Sequence, residues 1–183
     1  MSIRPLSAAT LAVSLAMAGT AAADNGATLD NVTTEFYAVY SGFHPSDGIP
    51  NANALTRYQP YLTPALARLL SAAGAAEARF AGKYKDSPPL IEGDLFTSNF
   101  EGATSYSIRK CESRGSAARC AVDLAYAPAD GKNKPTTWTD RIYLVRTAAG
   151  WRIDDIGYGA TWAFGNKGRL SETLKEVISD AGS

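Results

Sequence analysis

Histidine and cysteine are nearly missing from this 183-residue chain: His44 stands alone, and Cys111 and Cys120 are the only cysteines. A Ser-His-Asp triad would have to run through His44, and no Gly-x-Ser-x-Gly elbow is present to carry its nucleophile. Zinc sites normally draw on several His or Cys ligands, which this set does not supply once the cysteines pair. Walker and Gly-x-Gly-x-x-Gly phosphate loops are absent. Ser107-Ile108-Arg109-Lys110 has Ser-x-x-Lys spacing, but that motif needs a helix, and in a strand-like run i and i+3 point to opposite faces. Gly165-Asn166-Lys167-Gly168 reads as a turn before a helix rather than an anion cradle. No catalytic residue, metal or cofactor is expected from these patterns.

Charge excess is also missing. Acidic and basic residues number 18 each, a balance that gives no basic face for nucleic acid. Long apolar runs are absent outside the first 23 residues. There, one charge (Arg4), the apolar run Leu6 to Met17 and the small-residue triplet Ala21-Ala22-Ala23 form a signal peptide pattern, with cleavage expected before Asp24. The run is too short and alanine-rich for a good membrane span, and no cysteine follows it to accept a lipid. Cleavage leaves residues 24–183 as one mature domain of 160 residues with net charge −1, since only Arg4 is lost, and with no methionine. A domain of this size buries roughly 70% of its unfolded surface. The expected location is periplasmic or secreted, with no membrane span in the mature chain.

In that oxidising setting an even cysteine count favours a bridge. Cys111 and Cys120 flank a polar stretch, Glu112 to Arg119, and closing so short a loop contributes roughly 2–3 kcal/mol in the chain-entropy view. A free catalytic thiol would need a basic partner, and His44 is far off in sequence.

Residues 28–41 repeat apolar side chains at Leu29, Val32, Phe36 and Tyr40, one face of a helix. Phe43 to Pro50 is a loop, and Asn51 to Tyr58 a short helical turn. Thr63-Pro64 is a helix start, with a capping oxygen and a proline where an N–H would be orphaned. Leu66, Leu69, Leu70, Ala73, Ala76, Phe80 and Tyr84 then form a long stripe whose alanines suggest close approach to a sheet. Pro88-Pro89 ends the helical half. Strand signals follow at Leu95 to Phe100, Thr104 to Cys111, Arg119 to Ala127, Trp138 to Arg146 and Trp151 to Tyr158, the last two turned by Thr147 to Gly150. Val122, Leu124 and Tyr126 share a face; so do Trp138, Ile142 and Leu144, together with Asp140. Antiparallel hairpins with one buried face fit this alternation. With Cys111 directly opposite Cys120, Ile108 and Tyr106 would fall on the wrong face, so a one-residue bulge near Arg109–Cys111, or an offset bridge, is predicted. Leu170, Leu174, Val177 and Ile178 mark a short C-terminal helix. The fold class is α+β: long N-terminal helices on a curved, mostly antiparallel sheet, cone-like, with the short helix at the end.

Tyr61-Leu62-Thr63-Pro64-Ala65-Leu66, Gly93-Asp94-Leu95-Phe96-Thr97-Ser98 with Glu101-Gly102, and Trp151-Arg152-Ile153-Asp154-Asp155-Ile156 carry a resemblance over about residues 30–178. The chain resembles the nuclear-transport-factor-2-like (cystatin-like cone) folds and, within them, the exported bacterial family called domain of unknown function 3828. Many members are lipoproteins, from which this chain departs by lacking the acylated cysteine. The resemblance implies fold and compartment rather than chemistry, because the family has no settled activity. The catalytic His and Asp pairs of cone-shaped enzymes have no match here.

Three groups are candidate binding residues. Of Asp154 and Asp155, one faces the interior if the strand is regular, as an acid or base of raised pKa; the alternative is that Asp154 pairs with an arginine and Asp155 holds a loop. Glu92, Asp94 and Glu101, around Phe96 and Phe100, form a rim for a basic partner, a weak calcium site, or simply a solvated turn. Tyr158, Trp162 and Phe164, near the glycines Gly159 and Gly165, line a pocket mouth, anchor a partner, or plug the core; Tyr37, Tyr40, Tyr58 and Tyr61 would extend such a surface. The function expected first is a non-catalytic binding domain for a protein partner in the cell envelope, of inhibitor or immunity type. The second is a small ligand, or an enzyme's substrate, in a cone pocket around a buried carboxylate, Asp155 or Asp140. A structural module without a ligand is the third.

Overall fold

The computed structural model describes residues 28–42, 48–129 and 131–182. The residues 1–23 expected to form a signal peptide, and His44, lie outside them. Helix α1 (Leu29–Tyr40) starts where the Thr28 hydroxyl accepts from Asn31 N, and it buries Val32, Thr33, Phe36, Tyr37 and Tyr40. Helix α2 (Ala52–Tyr58) is capped by Asn51 and runs into a 3-10 turn, Gln59–Tyr61. Helix α3 (Pro64–Lys83) begins at the expected Thr63-Pro64 cap, with Thr63 Oγ1 accepting from Leu66 N. Strands β1 (Ser105–Arg114), β2 (Ala117–Tyr126), β3 (Thr136–Thr147) and β4 (Gly150–Gly157) follow, then helix α4 (Leu170–Asp180). The four strands form one antiparallel, curved sheet in the order β1-β2-β3-β4, and the class is α+β.

Cys111 pairs with Cys120 across the β1–β2 hairpin and the two form a disulfide with Cα atoms 4.1 Å apart. No free cysteine remains. Ile108 pairs with Val122, so Arg109 and Lys110 together face the single residue Ala121. That is the predicted bulge. It brings Tyr106 and Ile108 to the core side with Leu124 and Val122, which a regular register would forbid. A second bulge lies at Asp154, between the pairs Leu144–Ile153 and Tyr143–Asp155. Through it Ile153 and Ile156, three apart in sequence, are both fully buried.

Three expectations are corrected. Residues 95–100 are not a strand but a loop, buried through Asn99, because the N–H groups of Phe96, Thr97 and Ser98 go to carboxylates instead of a neighbouring strand. The long helix α3 does not lie across the sheet. The helix packs chiefly on α4, with Ala73 and Ala76 fully buried, and α1 is the helix laid on β1, β2 and β4. The α3 stripe also runs past the core: Tyr84 is 39% exposed and rests against Phe80, ring centroids 5.0 Å apart, with the Lys83 ammonium over its ring. Finally, Tyr37, Tyr40 and Tyr58 extend no surface. They are buried around Phe36 and Phe96, with Phe36 edge-on to Tyr37 at 5.3 Å and to Phe96 at 5.5 Å. Such pairs contribute about 0.5–1.5 kcal/mol each beyond their area.

Candidate interaction surface

Asp140 sits on the core face of β3 between Trp138 and Ile142 and is wholly buried. A carboxylate there must be fully hydrogen-bonded. Four donors meet it: Ser98 N at 2.8 Å, the Ser98 hydroxyl, Trp138 Nε1 at 3.0 Å and Gly159 N at 2.8 Å. Asp94 has a matching set in the loop itself: the Tyr40 hydroxyl, Phe96 N at 2.6 Å, and Thr97 N and Oγ1 at 3.3 and 3.1 Å. Tyr40 in turn accepts from Ala103 N at 2.7 Å.

These two acids shape the segment 93–104 and fasten it to the segment 158–168. Asn166 Nδ2 donates to Asp94 O at 2.6 Å and Thr97 O at 2.7 Å, and its N–H to Ser98 O at 2.9 Å. The Tyr158 hydroxyl donates to Leu95 O at 2.7 Å, and Ala160 N to the Ser98 hydroxyl at 3.1 Å.

Burial pushes the Asp94 carboxyl up to about 6, against the opposing pull of Tyr40, Phe96 N and Thr97. Asp140 is raised too, also by burial, with Ser98 opposing most strongly. Burial and the neighbouring Asp94 raise Tyr40, which keeps it a donor. The Tyr37 hydroxyl has no hydrogen-bond partner among the described residues. The sign of the Asp94 effect follows from its direction. Its folded value exceeds the unfolded value near 3.9, so its contribution to stability is full below about pH 4 and is lost as pH rises through about 6. Wild-type protein should therefore gain more resistance to urea between pH 7.5 and pH 5 than Asp94→Asn does. Asp140 is present in both proteins and cancels; identical pH profiles would refute the assignment.

Outside this frame three rings face solvent. Phe164 is 91% exposed and Phe100 47%. Trp162 is half-buried, edge-on to Trp138 at 5.8 Å. Between them lies a cleft of about 630 Å3 lined by Asn99, Phe100, Glu101, Thr136, Trp162 and Phe164. A second recess, about 490 Å3, lies on the outer face of the sheet and includes Arg109, Asp123 and Thr139. There Asp123 is bonded to both the arginine and the threonine.

Of the residues expected to bind, Glu101, Trp162 and Phe164 line the cleft. Asp94 and Tyr158 lie in its supporting frame, not on its surface. The acidic cluster is thus neither a solvated turn nor a calcium site: Asp94 points its oxygens at internal donors, and only Glu92 and Glu101 are exposed. Asp154 and Asp155 are not part of this surface. The bulge leaves Asp154 exposed, and its partner is the Thr63 hydroxyl at 3.0 Å rather than an arginine. Asp155 anchors the start of α4, accepting from Ser171 N at 3.0 Å and Ser171 Oγ at 2.8 Å, with Arg169 Nη1 at 3.5 Å. A carboxylate suits a helix N-terminus, where free N–H groups converge. Ser98 and Asn166 are framework residues that the candidate set omits, and Asp140, expected only as the carboxylate of a cone pocket, is part of the same framework. Asp140 had a signal, an acid on an otherwise apolar strand face; Ser98 and Asn166 had none.

Among the described residues, the potential metal donors that cluster are Asp30, Cys111 and Cys120, and both sulfurs belong to the disulfide. No helix among them is long and apolar enough to cross a membrane. No protein-family model matches the chain, and no curated protein matches it.

Proposed function

We propose that this is an exported, non-catalytic domain that binds a protein partner in the cell envelope through Phe100, Trp162 and Phe164. The observation that carries this reading is Phe164, 91% exposed, beside Phe100 on loops that a buried hydrogen-bond network holds in place. Exposed aromatic side chains in a contiguous patch cost solvation when unpartnered and are the side chains that dominate interface energetics. A rigid presentation reduces the ordering entropy of association. The bridged hairpin and the leader-like residues 1–23 support a periplasmic or secreted setting, where an inhibitor or immunity-type role is the favoured form. The α+β meander with its helices is compatible with a nuclear-transport-factor-2-like domain of the domain-of-unknown-function-3828 type. The small-ligand reading has less support, since the oxygens of Asp94, Asp140 and Asp155 are engaged by internal donors and aromatic rings fill the space beneath α1.

The test is capture of a partner from periplasmic extract on immobilised mature protein, with the disulfide intact. A stoichiometric protein should be retained by the wild type and lost with a Phe100→Ala/Phe164→Ala variant that unfolds at the wild-type temperature. Undiminished retention by that variant would remove the surface from consideration.

A further inference from the structure

We propose that the cleft between Phe100, Trp162 and Phe164 takes a cationic side chain, an arginine or lysine presented on an exposed segment of the protein partner. The proposal rests on the reading of this surface as an interaction site. Of the six residues lining the cleft, three are aromatic and one is ionisable, and that one, Glu101, is an acid. A second exposed acid lies close by. The Asp94 N–H donates to Phe100 O at 2.9 Å, closing the chain on itself so that the exposed Glu92 and Glu101 stand at the two ends of one turn. Lys167, five residues after Trp162, donates to the carbonyl oxygens of Ala160 and Trp162 and does not line the cleft.

The chemistry selects the occupant. Aromatic faces carry negative quadrupole density and attract a cation within about 6 Å of the ring. A carboxylate at the rim adds a charge-assisted hydrogen bond. An apolar plug of the same size would cover the rings equally well, but it would strip water from Glu101 and offer nothing in return. A carboxylate in the occupant would be repelled. With the mature chain at net charge −1, this preference is local: it reads one side chain rather than steering a basic protein from a distance.

The probe is the peptide acetyl-Gly-Arg-Gly-Arg-Gly-amide, compared with its citrulline analogue, which has the same shape and no charge. Both are titrated into intact disulfide-bonded protein while the Trp162 indole N–H resonance is followed, assigned by its loss in Trp162→Phe. The arginine peptide should shift that resonance saturably, and Glu101→Gln should weaken it about fivefold, in line with one partly exposed cation–carboxylate contact beside aromatic rings. The citrulline peptide should bind more weakly and be indifferent to Glu101→Gln. Equal binding of the two peptides, or no effect of Glu101→Gln on the arginine peptide, overturns the inference. If that happens while partner capture still depends on Phe100 and Phe164, the interaction surface stands and only its cation preference falls. If capture is indifferent to both rings, the surface itself falls and this inference with it.

Discussion

Asp140→Ala should be among the most destabilising single substitutions in this domain. The change removes the acceptor shared by Ser98 N and Oγ, Trp138 Nε1 and Gly159 N; the part-buried Gly159 N keeps the Ser98 hydroxyl, while Ser98 and Trp138 lose their acceptor inside the buried interior. Each orphaned donor costs about 1–3 kcal/mol, tempered by relaxation. A net loss of roughly 3–5 kcal/mol is the scale found when one side of a buried polar network is deleted, against a whole-domain stability of about 5–15 kcal/mol. With a urea slope of about 2 kcal/mol/M, the unfolding midpoint should fall by about 2 M. Asp140→Asn keeps the shape and one carbonyl oxygen, so it should fall between the two proteins. A loss below about 1 kcal/mol for the alanine variant would mean that Asp140 does not organise the loops.

Gly159→Ala should be comparably severe for a steric reason. A Cβ on Gly159 would sit 2.0 Å from the carbonyl oxygen of Thr139 and 3.2 Å from its carbon. Neither atom can retreat. Thr139 lies inside β3, paired to Asp123 of β2, and the residue after it is Asp140. Relief would have to come from moving the segment after β4, which pulls the Gly159 N–H away from Asp140 and from Ser98. A cost of about 3 kcal/mol or failure to accumulate folded protein is expected, the range of overpacking with a backbone shift. Gly82→Ala is the control. It lies in α3 with nothing within 4 Å of its built Cβ, and there an alanine should stabilise by about 0.5–1 kcal/mol. Thermal melts of the two variants side by side separate steric exclusion from a general dislike of substitution at glycine.

Helices and sheet were legible because their signals are local. The Thr63-Pro64 start and the strand alternation each need only a few consecutive residues, and the hairpin bulge follows from matching two apolar sets across one turn. Residues 95–100 were not legible for the opposite reason. Leu95, Phe96 and Phe100 carry strand-like hydrophobicity, but their conformation is set by Asp94 together with Asp140, some forty positions later in the chain. Asp94 looks like a surface acid for the same reason: its deepest partner, Tyr40, comes from α1. The alanines of α3 announce a close neighbour without saying that the helix packs more on α4 than on the sheet. Within the candidate surface, Trp162 and Phe164 stand out as glycine-flanked rings, and Phe100 stands beside its acids. Ser98 and Asn166 are small polar residues of a kind found in any loop, and only the folded chain shows that they lace two loops together.

The four-stranded sheet ends differently on its two sides. The outer edge of β4 is closed by the bridges from Leu62 to Ile153 and from Arg169 to Gly157. The outer edge of β1 is the last strand in the order, and among the described residues no backbone hydrogen bond reaches it from outside the sheet. An open strand of ten residues is a template onto which another polypeptide can add. The bulge at Arg109 and Lys110 breaks that template in its middle and adds local twist. The same irregularity that aligns the apolar face of the hairpin therefore also works against fibrillar self-association, and a variant with one of these two residues deleted would present a longer, straighter edge to its own copies.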